Sequence, residues 1–227
     1  MHHIPPNPFT DPSKLAKKSI FERAGDKARS FIDAAFDSAL EAVKKKEKQK
    51  KILPTAELQE IWDNIEAKIE SGEIEGIELT IGGKTKVQLE TSFKDKKIYI
   101  TSHAQDMLNS KDFATSAKPE QLNLVKLSVK DLGFPNGATY KEICDKANEL
   151  GLDLCPAEVG PHLRLQDDTQ SMGDYYNIAM KPISDRDGGP NIFRLFQVGD
   201  DLWLHSDHGR PDVRYYADDP FVFVSRK

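Results

Sequence analysis

With 227 residues, 38% of them hydrophobic and 30% charged, the chain has the composition of a soluble protein and the length of one large domain or two small ones. No apolar run approaches the roughly eighteen residues that a membrane-spanning helix requires, and the two cysteines, Cys144 and Cys155, form no CxxC pair for metal or redox work. The net charge of −5 is unevenly placed: residues 14–51 carry twelve Lys plus Arg against six Asp plus Glu, a local +6, whereas residues 119–227 carry twelve against eighteen, a local −6.

A proline-rich leader at 4–12 precedes a long helical pattern. Ile20, Ala24, Ala28, Phe31, Ala35, Ala39 and Val43 recur at steps of three and four, an apolar stripe that needs a partner and makes self-association through residues 20–43 the expectation. The pattern ends in a lysine-rich run at 44–51, read first as a solvated helix end. Without interleaved aromatics or arginines it offers little to nucleic acid. Thr55 then starts a second helix with Leu58, Ile61, Trp62, Ile65 and Ile69 on its apolar face, stopped by Gly72. Alternation at 77–81, the pair Gly82-Gly83 and alternation at 84–89 predict a hairpin, and 97–101 a third strand. Residues 110–121 are polar and small, as in a connection between domains.

The clearest helix follows the turn Pro135-Asn136-Gly137. Thr139 and Glu142 form the capping-box pattern, Ile143, Ala147 and Leu150 share one face, and Gly151 ends it. Beyond Pro156, Glu158 is placed in a constrained loop. His162-Leu163-Arg164-Leu165-Gln166 alternates polar and apolar residues, as a half-buried strand does, which would set His162, Arg164 and Gln166 on one face. Further strands are predicted at 176–181, 192–198, 202–205 and 221–224, the middle pair joined across Gly199-Asp200-Asp201. The fold class expected is therefore α+β: a leader and amphipathic helix at 1–54, a helix with a small antiparallel sheet at 55–109, a connection at 110–121, and at 122–227 a helix packed on an antiparallel β-meander.

Three clusters invite chemical readings. His205, Asp207 and His208, with Asp212 nearby, supply metal-ligand types at short spacing, but histidines three apart at a strand end need not converge, and a solvated turn ranks first. Asp185-Arg186-Asp187-Gly188-Gly189 mimics the opening of a calcium loop and fails at its fifth and twelfth positions, Gly189 and Phe196, so it reads as a turn. Glu158, His162 and Arg164 are the candidate catalytic set, as base, proton carrier and anion clamp. Glu158, Arg164 and Gln166 are the candidate ligand-binding set. The competing reading has Glu158 and Arg164 pairing with each other or bonding the bent backbone around Pro156 and Pro161. No Gly-rich phosphate loop, nucleophile elbow, HExxH or Walker pattern is present, and no cofactor is expected.

The strings LGLDLCPAEVGPHLRLQ at 150–166, YNIAMKPI at 176–183, LWL at 202–204 and FVFV at 221–224 resemble an uncharacterised bacterial family with an LCPAEVGPxLRLQ-type domain. The resemblance spans about the last hundred residues and implies a recurring soluble domain without implying an activity. The expected function is a non-enzymatic interaction or ligand-binding protein of cytoplasmic setting, acting through its C-terminal domain on a protein or small-molecule partner. A small hydrolase using Glu158, His162 and Arg164 is the alternative.

Overall fold

The computed structural model describes residues 56–74 and 76–225. The leader, the amphipathic stripe at 20–43, the lysine run and Thr55 lie outside them. In chain order the elements are α1 (Ala56–Glu70), β1 (Gly76–Ile81), α2 (Lys86–Asp95), β2 (Tyr99–Ile100), α3 (Ser102–Asn109), β3 (Glu120–Ser128), β4 (Ala138–Thr139), α4 (Tyr140–Glu149), β5 (Leu152–Asp153), α5 (Val159–Gln166), β6 (Tyr175–Ile178), β7 (Ile183–Ser184), β8 (Pro190–Val198), β9 (Asp201–His208), β10 (Arg214–Tyr215) and β11 (Pro220–Ser225). No helix among the described residues is long and apolar enough to cross a membrane.

Among the described residues the strands build one mixed nine-stranded sheet in the order β1-β3-β11-β6-β8-β9-β2, with β5 joining β11 and β7 joining β8, while β4 and β10 pair separately. This corrects the expected small N-terminal sheet followed by a meander. The last strand, β11, does not close a meander but lies between β3 and β6, antiparallel to one and parallel to the other. Meanwhile β2, from the first part of the chain, adds to β9 in parallel, pairing Tyr99 with Trp203. The reason is in the burial of β11: Phe221, Val222 and Phe223 are all fully buried, a continuous apolar run that needs neighbours on both edges and layers on both faces.

Those layers are helical. Register places Phe221 and Asn177 on one face and Phe193 on the other. On the first face α4 packs through Tyr140, whose ring meets Phe221 and whose hydroxyl accepts from Met180 N at 3.0 Å. Helix α1 joins that layer, linked to α4 by Glu57 and Lys146 at 3.3 Å. On the second face α5 lies so close that a Cβ on Gly160 would sit 2.7 Å from Phe193 Cβ, and Phe113, just beyond α3, meets the Phe193 ring edge-on. Burying a side chain of this size is worth about 1.5–3 kcal/mol.

Helix α4 follows the sequence reading closely: Thr139 and Glu142 complete the capping box, Ile143, Ala147 and Leu150 are buried, and Gly151 takes φ +78°. Two other expectations are corrected. Gly82-Gly83 opens a helix, not the return strand of a hairpin, because Thr85 and Gln88 form a second capping box and put Leu89 and Phe93 four apart in the core. Residues 162–166 are helix, not strand. Gly160 and Pro161 fall in the first turn of α5, where a missing N–H has no helical acceptor to lose. Every residue of α5 up to Leu165 is buried, so alternation there carried no information about a face.

Helix α1 also holds Glu66, only 7% exposed. Burial, then Asp63 and Glu70, push its carboxyl up to about 7. A carboxyl raised in the folded state destabilises progressively as pH rises from the unfolded value through the folded one. Glu66→Gln should therefore raise the melting temperature at pH 8 by about 3 °C or more and change it little at pH 4. An equal change at both pH values would contradict this.

Candidate functional site

Helix α5 presents one polar row at intervals of four residues, and its members reach two distant parts of the chain. Glu158, at the helix start, makes no capping bond to the helix. Its carboxylate instead accepts from the Ser116 N–H at 3.1 Å and from the Ser116 hydroxyl at 2.7 Å. His162 Nε2 accepts from the Gly82 N–H at 3.2 Å. Gln166 Nε2 donates to the carbonyl oxygens of Thr80 at 2.8 Å and His162 at 3.2 Å. One turn after another, α5 is tied to the segment before β3 and to the end of β1.

The Gly82 bond fixes the state of His162. A backbone N–H can only donate, so Nε2 carries no proton and the ring's hydrogen is on Nδ1. Glu158 Oε2 stands 3.6 Å from Nε2, too far for a hydrogen bond. Both residues are only 3% exposed. Burial lowers the imidazole pKa, opposed by Glu158 and aided by Lys84. The ring is therefore held neutral.

Arg164 faces elsewhere. The competing sequence reading, in which it pairs with Glu158, is corrected: six residues apart on a helix, the two point to different sides. Its guanidinium, 1% exposed, donates to Gln170 Oε1 and to the Asp167 carbonyl, while Nε has no partner among the described residues. Burial lowers its pKa. Asp167 in turn receives the Tyr176 and Thr169 hydroxyls. The candidate set thus divides: Glu158, His162 and Gln166 share a face, and Arg164 belongs to a separate buried network.

His162 and Gln166 line a groove of about 700 Å³ between α5, α2 and the turn after β1. Gly82, Lys84, Ser92 and Lys96 also line it, and among the described residues no carboxylate does. Gly82 is indispensable to the turn: it takes φ +75°, and a Cβ there would lie 2.3 Å from the Lys118 carbonyl oxygen. Gln166 also borders a smaller cavity of about 370 Å³ that Lys126, Asp167 and Tyr176 help to line. Sequence reasoning missed Gly82, Lys84, Lys96 and Ser116. The readable signal was Thr85-x-x-Gln88 directly behind Gly82-Gly83-Lys84, which marks a helix start beside a basic turn; nothing local pointed to Ser116.

The weaker candidates lie on the far strands. In β9, His205 Nδ1 meets the backbone of its own neighbour, with Ser206 N at 2.8 Å. Asp207 pairs with Arg194, and His208 is exposed, its N–H bonded to Asp207 Oδ1 at 2.8 Å. Among the described residues no three His, Cys, Asp or Glu side chains are grouped to hold a metal ion. Asp185 accepts from the N–H groups of Asp187 and Gly189 at 3.0 and 2.8 Å, an Asx-type turn. Compared with known proteins, the chain matches no protein family, no curated protein and no solved structure.

A histidine whose pKa is depressed on folding favours the folded state fully above the unfolded value, near 6.5, and loses that contribution as pH falls toward the folded one. His162→Gln should therefore melt below the parent at pH 7.5, and the gap should narrow at pH 5. A gap that widens on acidification would mean that His162 is held protonated.

Proposed function

We propose that the protein is a non-enzymatic ligand-binding protein and that its ligand occupies the groove between α5, α2 and the Gly82–Gly83 turn. The carrying observation is the neutral His162, immobilised on Gly82 and lining that groove. Its volume falls within the ~300–1,000 Å³ range of small-molecule sites. Most of the lining comes from rigid parts, two helices and the end of a strand, which is how a binding site is preorganised.

The hydrolase alternative draws less support. A general base must reach the proton it removes, whereas Glu158 is buried, is absent from the groove wall and has both oxygens engaged by Ser116. Arg164, the intended anion clamp, lies outside the groove as well. What remains facing the groove from that set is one imidazole with a lowered pKa.

Amide spectra of the full chain recorded against pooled small polar compounds test the reading. Saturable shifts at Gly82, Lys84, Ser92 and His162 are expected from at least one compound. Steady turnover of a phosphodiester or glycoside that Glu158→Gln abolishes without unfolding the chain would overturn it in favour of the enzyme.

A further inference from the structure

We propose that the groove ligand is an anion, a small molecule whose phosphate or carboxylate group sits against Lys84 and Lys96; this rests on the binding reading above. The chain carries 37 acidic residues against 32 basic ones, yet among the described residues the groove wall holds two lysines and no carboxylate. Glu158, behind His162, is only 3% exposed and is turned toward Ser116.

The lysines themselves are uncommitted in charge. Lys96 Nζ donates to the Leu165 carbonyl at 2.8 Å, and Lys84 Nζ to the Ser92 hydroxyl at 3.3 Å. Both acceptors are neutral, and an ammonium has three donors, so two remain on each. Four other lysines do find acids: Lys68 reaches Asp131, Lys130 Asp218, Lys141 Asp145 and Lys146 Glu57, all within 3.3 Å, whereas Lys86, at the start of the same helix α2, again meets a neutral acceptor, the Ser110 carbonyl at 2.9 Å. Neither Lys84 nor Lys96 forms an ion pair among the described residues.

The neighbouring polar groups add donors. Gln88, also on the wall, has its Oε1 engaged by Thr85 N at 2.8 Å, which leaves its NH₂ group. His162, with Nε2 engaged by Gly82, keeps its Nδ1–H. Ser92 adds none, because its one hydroxyl hydrogen goes to the Gln88 carbonyl at 2.8 Å. A concave wall with two cations and further donors attracts anions and repels cations; both lysines are solvent-exposed, so the attraction weakens as ionic strength rises.

The test is an amide-shift titration of the full chain at pH 7.5 and fixed ionic strength, with inorganic phosphate in one arm, citrate in a second and glucose as the neutral control. The expected result is saturable shifts at Gly83, Lys84, Ser92 and Lys96 from phosphate or citrate and none from glucose. Lys84→Met and Lys96→Met should each weaken binding about tenfold, as loss of a charge-assisted contact does, with spectra otherwise folded. The responding arm identifies a phosphate-bearing or a carboxylate-bearing ligand. If neutral compounds occupy the groove and neither anion does, the binding reading stands and the anion inference falls. Anion shifts that both lysine variants leave unchanged would also overturn it, and a groove that binds nothing removes both.

Discussion

The structure depends on the need to satisfy two buried titratable side chains one helical turn apart. Glu158 and His162 are almost wholly removed from water, where an ionised carboxylate or an unpaired imidazole nitrogen is expensive to leave without a partner. Their partners, Ser116 and Gly82, are 42 and 80 residues away in sequence. Satisfying them pins the segment before β3 and the turn after β1 onto the same helix. Loss of the Glu158 contacts would release the approach to β3, and loss of the His162 contact would release the turn on which Lys84 is mounted. The groove exists because those two strands of chain are held at a fixed separation from α5.

The sequence was legible where a signal was local. Thr139 with Glu142, the spacing of Ile143, Ala147 and Leu150, and Gly151 behind them describe α4 completely, since capping chemistry and one apolar face act within a dozen residues. The turn at Gly199-Asp200 between β8 and β9 is local for the same reason. It was illegible where tertiary burial overrode local pattern. In α5 both the polar and the apolar positions are buried, so His162-Leu163-Arg164-Leu165 alternates without having a wet face. At Gly82-Gly83 two local signals competed, and the capping box at Thr85 and Gln88 prevailed over the alternation at 84–89. The place of β11 between β3 and β6 is a matter of long-range pairing that no window of sequence contains.

Much the same holds for the site. The stretch around Glu158, His162 and Gln166 was identifiable from its composition, but its division from Arg164 follows from helical geometry, and its partners lie in other segments. Arg164 shows that burial of a charge alone does not mark a ligand site: its donors serve Gln170 and Asp167, closing the C-terminal end of α5 against the chain that leads to β6. The groove is distinguished instead by what its wall omits. In an acidic protein its described residues present lysines without acids, and a histidine whose neutral state is set by a backbone donor.

The most direct measurement is the tautomer of His162, read from long-range nitrogen–proton correlations in the full chain at pH 7. A neutral ring protonated at Nδ1 is expected, with Nε2 bare and accepting from Gly82. A ring protonated at Nε2, whether neutral or as imidazolium, would contradict it, because the Gly82 N–H would then face another donor and α5 would be held against the turn by some other means.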